Sequence, residues 1–336
     1  MPRRGQDPGH AAAAATPGAA LDWAAYLDGL VAEHGTLAAV AERLAAARAH
    51  RDDVESIARA LRRLRARGSR AGGTWGERLI ATCGLPQPVE ARLRFMGSYH
   101  ARFVDLPLPL CADLVALWDR PPTSDSRGGR AWLSLARAIL AMRAQRPADA
   151  AVHLATAARV ADADPRARIE VALGQANLDS RAAPGVVPAA LAPVERWLAD
   201  LAGDDAACLR ARWVGQVAHA WNHAGKLDDA LALHAALPDD ATTPAFARSR
   251  RANGLAYGLH RLGRRTDALA EARRAATFAG DAGHVRLRAM ALLMIARIAG
   301  ATAEGRDAHA RAAAIADALA DATLAHRCAV AARDVS

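Results

Sequence analysis

The chain contains a histidine pair at a spacing that is able to hold a metal ion. His219 and His223 are four residues apart, so on a helix both rings lie on one face. A site needs further ligands, but no carboxylate or cysteine stands at a supporting spacing, and no HExxH glutamate lies between the histidines. The four cysteines are far apart and form no CxxC motif: Cys83, Cys111, Cys208 and Cys328. This pattern favours reduced, buried thiols, and we expect neither a metal nor a cofactor.

Motifs of catalysis are also missing from the sequence. It has no Walker loop, no GxGxxG fingerprint and no GxSxG elbow around a nucleophilic serine. We therefore expect a protein that is not an enzyme. An enzyme with a groove site that no motif reveals stays as an alternative.

A strongly basic segment lies near the N-terminus. Residues 43 to 70 carry nine arginines against three acidic residues, which leaves a net charge of +6. A helix predicted from about Val54 to Arg67 has apolar residues on one face, and Arg59 and Arg63 share the opposite face with Arg67. An arginine row of this kind suits phosphate groups and guanine edges.

This basic helix follows a shorter one that Gly35 precedes and Thr36 caps. The arrangement resembles a helix-turn-helix, whose third helix lies in the major groove of DNA. The connection from Leu44 to Asp52 is longer than the usual turn of about 3 to 4 residues. The resemblance implies nucleic-acid contacts by five residues: Arg59, Arg62, Arg63, Arg67 and Arg70. The alternative is an ordinary solvated face on helices that only cap the rest of the chain.

Composition predicts an all-α fold for this chain of 336 residues. Hydrophobic residues make up 52% but are largely alanine, aromatic residues make up 4%, and β-branched residues are sparse. The formal charge of +9 identifies no ligand, since Lys226 is the only lysine and the excess of arginine fits a GC-rich genome. No apolar run approaches the ~20 residues of a membrane span, so we expect no membrane partner and a cytoplasmic location. Residues 1–18 are predicted to be a disordered tail.

Helical segments recur along the rest of the chain. The stretch GKLDDALALH contains Ala230, and similar segments place five residues in the same role: Cys111, Ala150, Ala190, Ala268 and Ala308. The spacing is 38 to 40 residues, and an aspartate precedes the marker in four of the six segments. An aspartate near a helix start favours the positive end of the helix, and a small residue lets two helices cross closely. Each marker is therefore predicted to lie early in the second helix of a pair.

The fourth and fifth units resemble tetratricopeptide-like (TPR) repeats. In the fifth, Leu255, Ala256 and Leu259 precede Gly263 at the offsets of that pattern, and the fourth unit matches in the same way. Longer units of about 40 residues are similar to those of many bacterial regulators. The resemblance implies a right-handed superhelix of antiparallel helix pairs, about six repeats over residues 87–336, after a helical module at residues 19–86. Such arrays bind partners on a concave surface.

TPR geometry implies which residues line that surface. They lie on the first helices of units four to six: Arg212, Gln216, His219, Asn222, His223, Arg250, Asn253, Tyr257, His260, Arg261 and Arg297. Arginine and amide donors suit a carboxylate, an acidic peptide or a phosphate. The alternative is a solvated helix face.

The sequence therefore predicts an adaptor or regulator that binds a protein or peptide, one rich in acidic groups or bearing a carboxylate. DNA binding by the N-terminal module, with a role in transcription regulation, is the sharper version of this hypothesis. A pure protein-interaction scaffold without DNA binding is the alternative.

Overall fold

The computed structural model describes residues 21–47, 52–70, 72–120, 123–180, 183, 185 and 187–335. All regular structure in these residues is helical, with no strand, which confirms the all-α prediction. The tail predicted at residues 1–18 lies outside the described residues. None of the described helices has the length and apolar character needed to cross a membrane. The chain divides into two compact units, with the main boundary between Pro86 and Gln87.

The first unit contains four helices: α1 (Trp23–His34), α2 (Leu37–Ala46), α3 (Val54–Arg65) and α4 (Gly73–Cys83). Asp22, Thr36 and Asp53 cap the first three helices through their side-chain oxygens, as expected for these residue types. The core is apolar and includes Trp23, whose ring packs so closely on α4 that a Cβ at Gly76 would lie 2.5 Å from it. This packing leaves the opposite face of α3 exposed to solvent.

The second unit contains thirteen described helices: α5 (Gln87–Gly97), α6 (Leu108–Trp118), α7 (Arg127–Arg143), α8 (Pro147–Ala158), α9 (Pro165–Asp179), α10 (Val187–Ala199), α11 (Gly203–His223), α12 (Leu227–Ala235), α13 (Ala245–Arg261), α14 (Arg265–Asp281), α15 (Val285–Ala299), α16 (Ala303–Ala318) and α17 (Ala322–Val335). Short 3-10 helices lie at Arg102–Asp105 and Ala161–Ala163. From α7 to α16, consecutive helices pack as pairs and each pair packs on the next. The unit predicted around Cys111 differs, because α5 and α6 pack mainly against α7 rather than against each other.

The predicted markers explain how closely the paired helices approach. Ala150, Ala230 and Ala268 have at most 1% of their surface exposed, so their small side chains lie at tight helix crossings. Ala308 and Cys111 are buried as well. The third marker is wrong: Ala190 is exposed, and the next residue, Leu191, occupies the buried position of α10 instead.

Glycines make two of the turns inside these pairs. Gly225 before α12 and Gly263 before α14 have φ values of 78° and 77°, a left-handed conformation that glycine adopts without strain. Gln145 occupies the equivalent position before α8 and has a φ of 57°. This turn therefore has the same left-handed conformation although the residue is not a glycine.

The last helices of the second unit contact its first helices. The N–H of Leu108 at the start of α6 donates to the carbonyl of Leu319 over 2.9 Å, and the Thr323 hydroxyl at the start of α17 donates to the carbonyl of Met142 in α7 over 2.6 Å. In an open helical array each repeat contacts only its neighbours. Here the packing of α17 on α7 joins the two ends of the unit.

Candidate ligand-binding cavity

A cavity of about 450 Å³ that opens to solvent lies in the second unit, between helices α11, α13, α15 and α17. Its polar wall comes from α11 and α13 and includes His219, Asn222, Arg250, Asn253 and Tyr257. Its apolar wall comes from α15 and α17 and includes Met290, Leu293, Met294, Val330 and Ala331. Among the described residues that line it there is no aspartate and no glutamate. The cavity is therefore amphipathic, and its fixed charges are positive.

Arg250 is the partly buried cation of the polar wall. No carboxylate in the described part of the chain forms an ion pair with its guanidinium. Gly215 of α11 leaves room for this side chain, since a Cβ there would lie 2.7 Å from Nη2 of Arg250. Burial lowers the pKa of Arg250, Tyr99 opposes this effect, and three neighbouring arginines lower the pKa further. The position is therefore costly for a cation and favourable for a bound anion.

The three neighbouring arginines are Arg212, Arg286 and Arg327, and the first two lie beside the ring of Tyr99. Cζ of Arg212 lies 4.7 Å and Cζ of Arg286 lies 5.5 Å from the ring centroid, and Nη1 of Arg286 donates to the tyrosine oxygen over 2.5 Å. Burial alone would raise the pKa of Tyr99, but Arg286, Arg250, Arg327 and Arg212 together lower it below its ordinary value. The guanidinium groups around Tyr99 therefore favour its ionised form more than burial opposes it.

A second, smaller cavity of about 70 Å³ lies on the Tyr99 side. It shares Arg250, Met290 and Arg327 with the larger cavity, so these three residues lie between the two spaces. The Arg327 guanidinium also donates to the sulfur of Met290 over 3.4 Å.

Arg212 is held by a buried acid rather than left for a ligand. Its Nη1 lies 2.5 Å from Oε2 of Glu170, and both side chains are almost fully buried. Oε1 of Glu170 lies 3.5 Å from Nδ1 of His100, whose Nε2 lies 3.1 Å from Asp205. Burial alone would lower the pKa of His100, but the hydrogen bond to Asp205 and the nearby carboxylate of Glu170 raise it. The hydrogen bond from His100, which outweighs the effect of burial, lowers the pKa of Asp205 to about 2.

Three polar side chains in the lining of the larger cavity contain a buried atom that lacks a hydrogen-bond partner in the described chain. These atoms are Oδ1 of Asn222, Oδ1 of Asn253 and Nδ1 of His234. Burial, followed by the charges of Arg250 and Arg251, lowers the pKa of His234 to about 4, so its ring is neutral near pH 7. A neutral imidazole offers one acceptor and one donor, and unpaired buried groups of this kind commonly mark a site for a polar ligand or water.

The structure brings together most of the residues predicted to form a binding surface. His219, Asn222, Arg250, Asn253, Tyr257 and Arg297 line the larger cavity, and Arg212 and Gln216 line the smaller one. Three predicted residues line neither: His223, His260 and Arg261. His223 packs edge-on against His219, with ring centroids 4.5 Å apart, and Arg261 donates to the hydroxyl of Tyr257 over 3.1 Å.

Sequence reasoning missed the wall opposite these residues. Met290, Leu293 and Met294 lie on α15, and His326, Arg327 and Val330 lie on α17. The available signal was the spacing of three and four residues on each helix, which places such residues on one face. Nothing in the repeat pattern indicates that α17 turns this face towards α11 and α13.

The basic face of the first unit was predicted as a nucleic-acid contact. Arg59, Arg62 and Arg63 are exposed on α3. Arg67 and Arg70 are exposed as well but lie beyond the helix, which ends at Arg65, so Arg67 does not continue the helical row.

The four cysteines have free thiols, and all but Cys83 are buried. Burial raises the pKa of the Cys208 thiol to about 12, which leaves it uncharged and unreactive near pH 7.

Fold and site together define an all-α protein of packed helix pairs with a positively charged, amphipathic cavity that opens to solvent. Comparison of the chain with family models, with curated proteins and with solved structures finds no match.

Proposed function

We propose that this protein is a non-enzymatic adaptor or regulator whose TPR-like, right-handed helical array binds an anionic partner, a protein or peptide that presents carboxylates to the interior cavity. One observation carries the proposal: the guanidinium of Arg250 lines the cavity, and no described carboxylate pairs with it. The buried thiols support a cytoplasmic location.

The chemistry of the lining favours an anion over other ligands. A guanidinium binds carboxylate or phosphate through two parallel hydrogen bonds, and such bonds are about twice as strong as those between neutral groups. With no acidic residue among the described lining, a cationic ligand has no partner in the larger cavity. The surrounding arginines add to the positive potential and attract an anion from solution.

A charge reversal tests this proposal. A fluorescent peptide of eight glutamates is titrated into the full chain at low and at moderate salt, and we expect binding that weakens with salt. Arg250→Glu should weaken binding at least tenfold, because it puts a carboxylate where the ligand anion is held. Arg306→Glu is the matched control, since Arg306 is exposed on α16, outside both cavities, and donates to the carbonyl of Ala301 in its own turn. Equal losses in the two variants, or no binding by the wild type, would contradict the proposal.

DNA binding by the first unit is the second candidate function, in which case the protein regulates transcription. The observation that favours it is the exposed arginine row of α3, Arg59, Arg62 and Arg63, opposite a face that is buried in the core. Contacts from arginines to phosphates release counterions, so affinity for DNA falls as salt rises.

A mobility-shift titration of the protein's own upstream DNA at two salt concentrations tests this candidate. Replacing Arg59, Arg62 and Arg63 by alanine should abolish most binding and reduce the salt slope by about 3, one for each lost phosphate contact. Arg65→Ala is the control on the same helix, because Arg65 is already paired with Asp28 over 2.6 Å. If the wild type shows no shift, the protein is a pure interaction scaffold in this respect.

A further inference from the structure

The larger cavity presents two chemistries to a single ligand. Arg250 lies on the α13 side and Met290, Leu293 and Met294 lie on the α15 side. We infer that the ligand of this cavity is a small amphipathic anion, with one anionic head group on Arg250 and an apolar body on the methionine and leucine side chains of α15. The inference rests on the anion site at Arg250 that the proposed function uses, and it goes beyond that function by assigning a small ligand, not a polypeptide, to the same cavity.

The head group is assigned to Arg250 by comparison with the other arginines that line the two cavities. Arg143 and Arg286 are paired with Asp321, Arg212 is paired with Glu170, and Arg297 lies 3.6 Å from Asp334. Arg327, which is exposed on α17, donates to the sulfur of Met290. Arg250 has no such acid among the described residues. Its neighbours Asn253 and His234 have unpaired buried atoms in the same lining, so a polar head group finds hydrogen-bond partners beside the charge.

The body of the ligand is assigned to the apolar wall. Met290, Leu293 and Met294 are only partly buried, and Val330 of α17 is 41% exposed, among the few large hydrophobic residues of the described chain with such exposure. An apolar wall inside a cavity gains free energy when a ligand covers it. Methionine suits an acyl chain or ring of variable shape because its side chain is flexible and polarizable.

Closure of the array limits the size of this ligand. Because α17 packs on α7 and α15, it forms a wall where an open array would leave a continuous groove. The remaining space of about 450 Å³ lies in the range of ~300–1,000 Å³ that is typical of small-molecule sites. An amphipathic acid of about ten carbons matches this description of charge, apolar surface and size.

The test separates head group, body and charge with four probes. Decanoate has both parts, acetate has only the head group, decanol has only the body, and decyltrimethylammonium reverses the charge. Calorimetric titration of the full chain should give saturable binding of decanoate, at least tenfold tighter than binding of each other probe. Decanoate should also raise the melting temperature of the chain with increasing concentration.

Two variants locate the probe. Arg250→Met should weaken decanoate binding at least tenfold and leave the weak binding of decanol unchanged, because only the head group loses its partner. Leu293→Asn should weaken decanoate and decanol alike. Arg306→Met, at an exposed position of α16 outside both cavities, should change neither. Decanoate that binds Arg250→Met as tightly as wild type, or no better than acetate, would overturn the inference.

The acidic peptide separates this inference from the proposed function. If the glutamate peptide binds in an Arg250-dependent manner but decanoate does not bind, the proposed function stands and the amphipathic class is wrong. If neither probe shows binding that depends on Arg250, both fall. A peptide whose apolar C-terminal residue carries a free carboxylate identifies the source of the anion: tighter binding than its amidated form and than decanoate assigns the site to a polypeptide end, which contradicts the small ligand.

Discussion

Asp321 links the last helix of the second unit to two of its other helices. The residue is 1% exposed, and its Oδ2 accepts from Arg143 of α7 over 2.9 Å and from Arg286 of α15 over 2.8 Å. Its Oδ1 accepts from the N–H of Leu324, so the same carboxylate also caps the start of α17. One side chain thus joins three helices that are far apart in sequence.

Replacing Asp321 by alanine should destabilise the unit by about 4 kcal/mol. Removing one partner of a buried ion pair costs roughly 3–5 kcal/mol, since the remaining charge is left buried and unpaired. Losing an N-terminal cap costs about 1 kcal/mol, but the two effects share one carboxylate and do not simply add. For a unit of this size, a change of about 4 kcal/mol lowers the melting temperature by roughly 8–16 °C.

Calorimetry and urea unfolding of the full chain measure this loss, with three variants for comparison. Asp321→Asn keeps the cap oxygen and should cost less than alanine. Thr302→Ala removes the cap of α16, where Oγ1 accepts from Gly305 over 3.2 Å, and should cost about 1 kcal/mol. Asp307→Ala removes an exposed pair and should cost less than ~0.5 kcal/mol. A loss for Asp321→Ala no larger than that for Thr302→Ala would refute the reasoning.

Three further expectations follow from the interior charges and the helix crossings. Arg250→Met should leave the free energy of unfolding unchanged or raise it by about 1 kcal/mol in urea titration, because it removes a cation without an acidic partner; a clear loss would give Arg250 a structural role. The raised pKa of His100 means that its protonated form stabilises the fold below pH ~6.5 and that this contribution is lost as pH rises through the folded pKa. The stability of wild type should therefore decline as pH rises above ~6.5, and His100→Gln should flatten this decline in urea titrations. A Cβ at Gly97 would lie 2.6 Å from the backbone of α7, so Gly97→Ala should cost about 1–3 kcal/mol in thermal unfolding, whereas Gly128→Ala, with open space around it, should not destabilise.

The helix pairs were predictable from the sequence because the small residues at their crossings recur at a regular spacing that follows from local helix packing. An alanine at a tight crossing, as at Ala230 or Ala268, has no larger substitute that fits without moving a helix. The position at Ala190 was missed for a related reason. In α10, which contains Pro193, the side chain facing the neighbouring helices is set by tertiary packing, and Leu191 rather than an alanine fills that site.

The residues of the polar wall were predictable from the sequence. Which of its arginines pair with a carboxylate was not predictable. Arg212 and Arg250 occupy equivalent positions in successive repeats, and spacing alone gives them the same role. The structure separates them, because Glu170 of α9 reaches Arg212 and no described acid reaches Arg250. Similarly, the pairing of Arg143 with Asp321 spans 178 residues, so no local period indicates that α17 closes the array and supplies the second wall.

A contribution to the stability of the fold does not explain why Arg250 is partly buried without an acidic partner among the described residues. The interior already contains buried acids that compensate Arg212 and Arg286, so the fold is able to place carboxylates against cations. At Arg250 it leaves the cation partly buried, with other arginines close enough to lower its pKa. A neutral side chain of similar length would fill the space without the desolvation cost. Residues that lower stability in this way are expected where a ligand supplies the missing interaction, so the cost at Arg250 and the anion binding that we propose for the cavity would have the same physical origin.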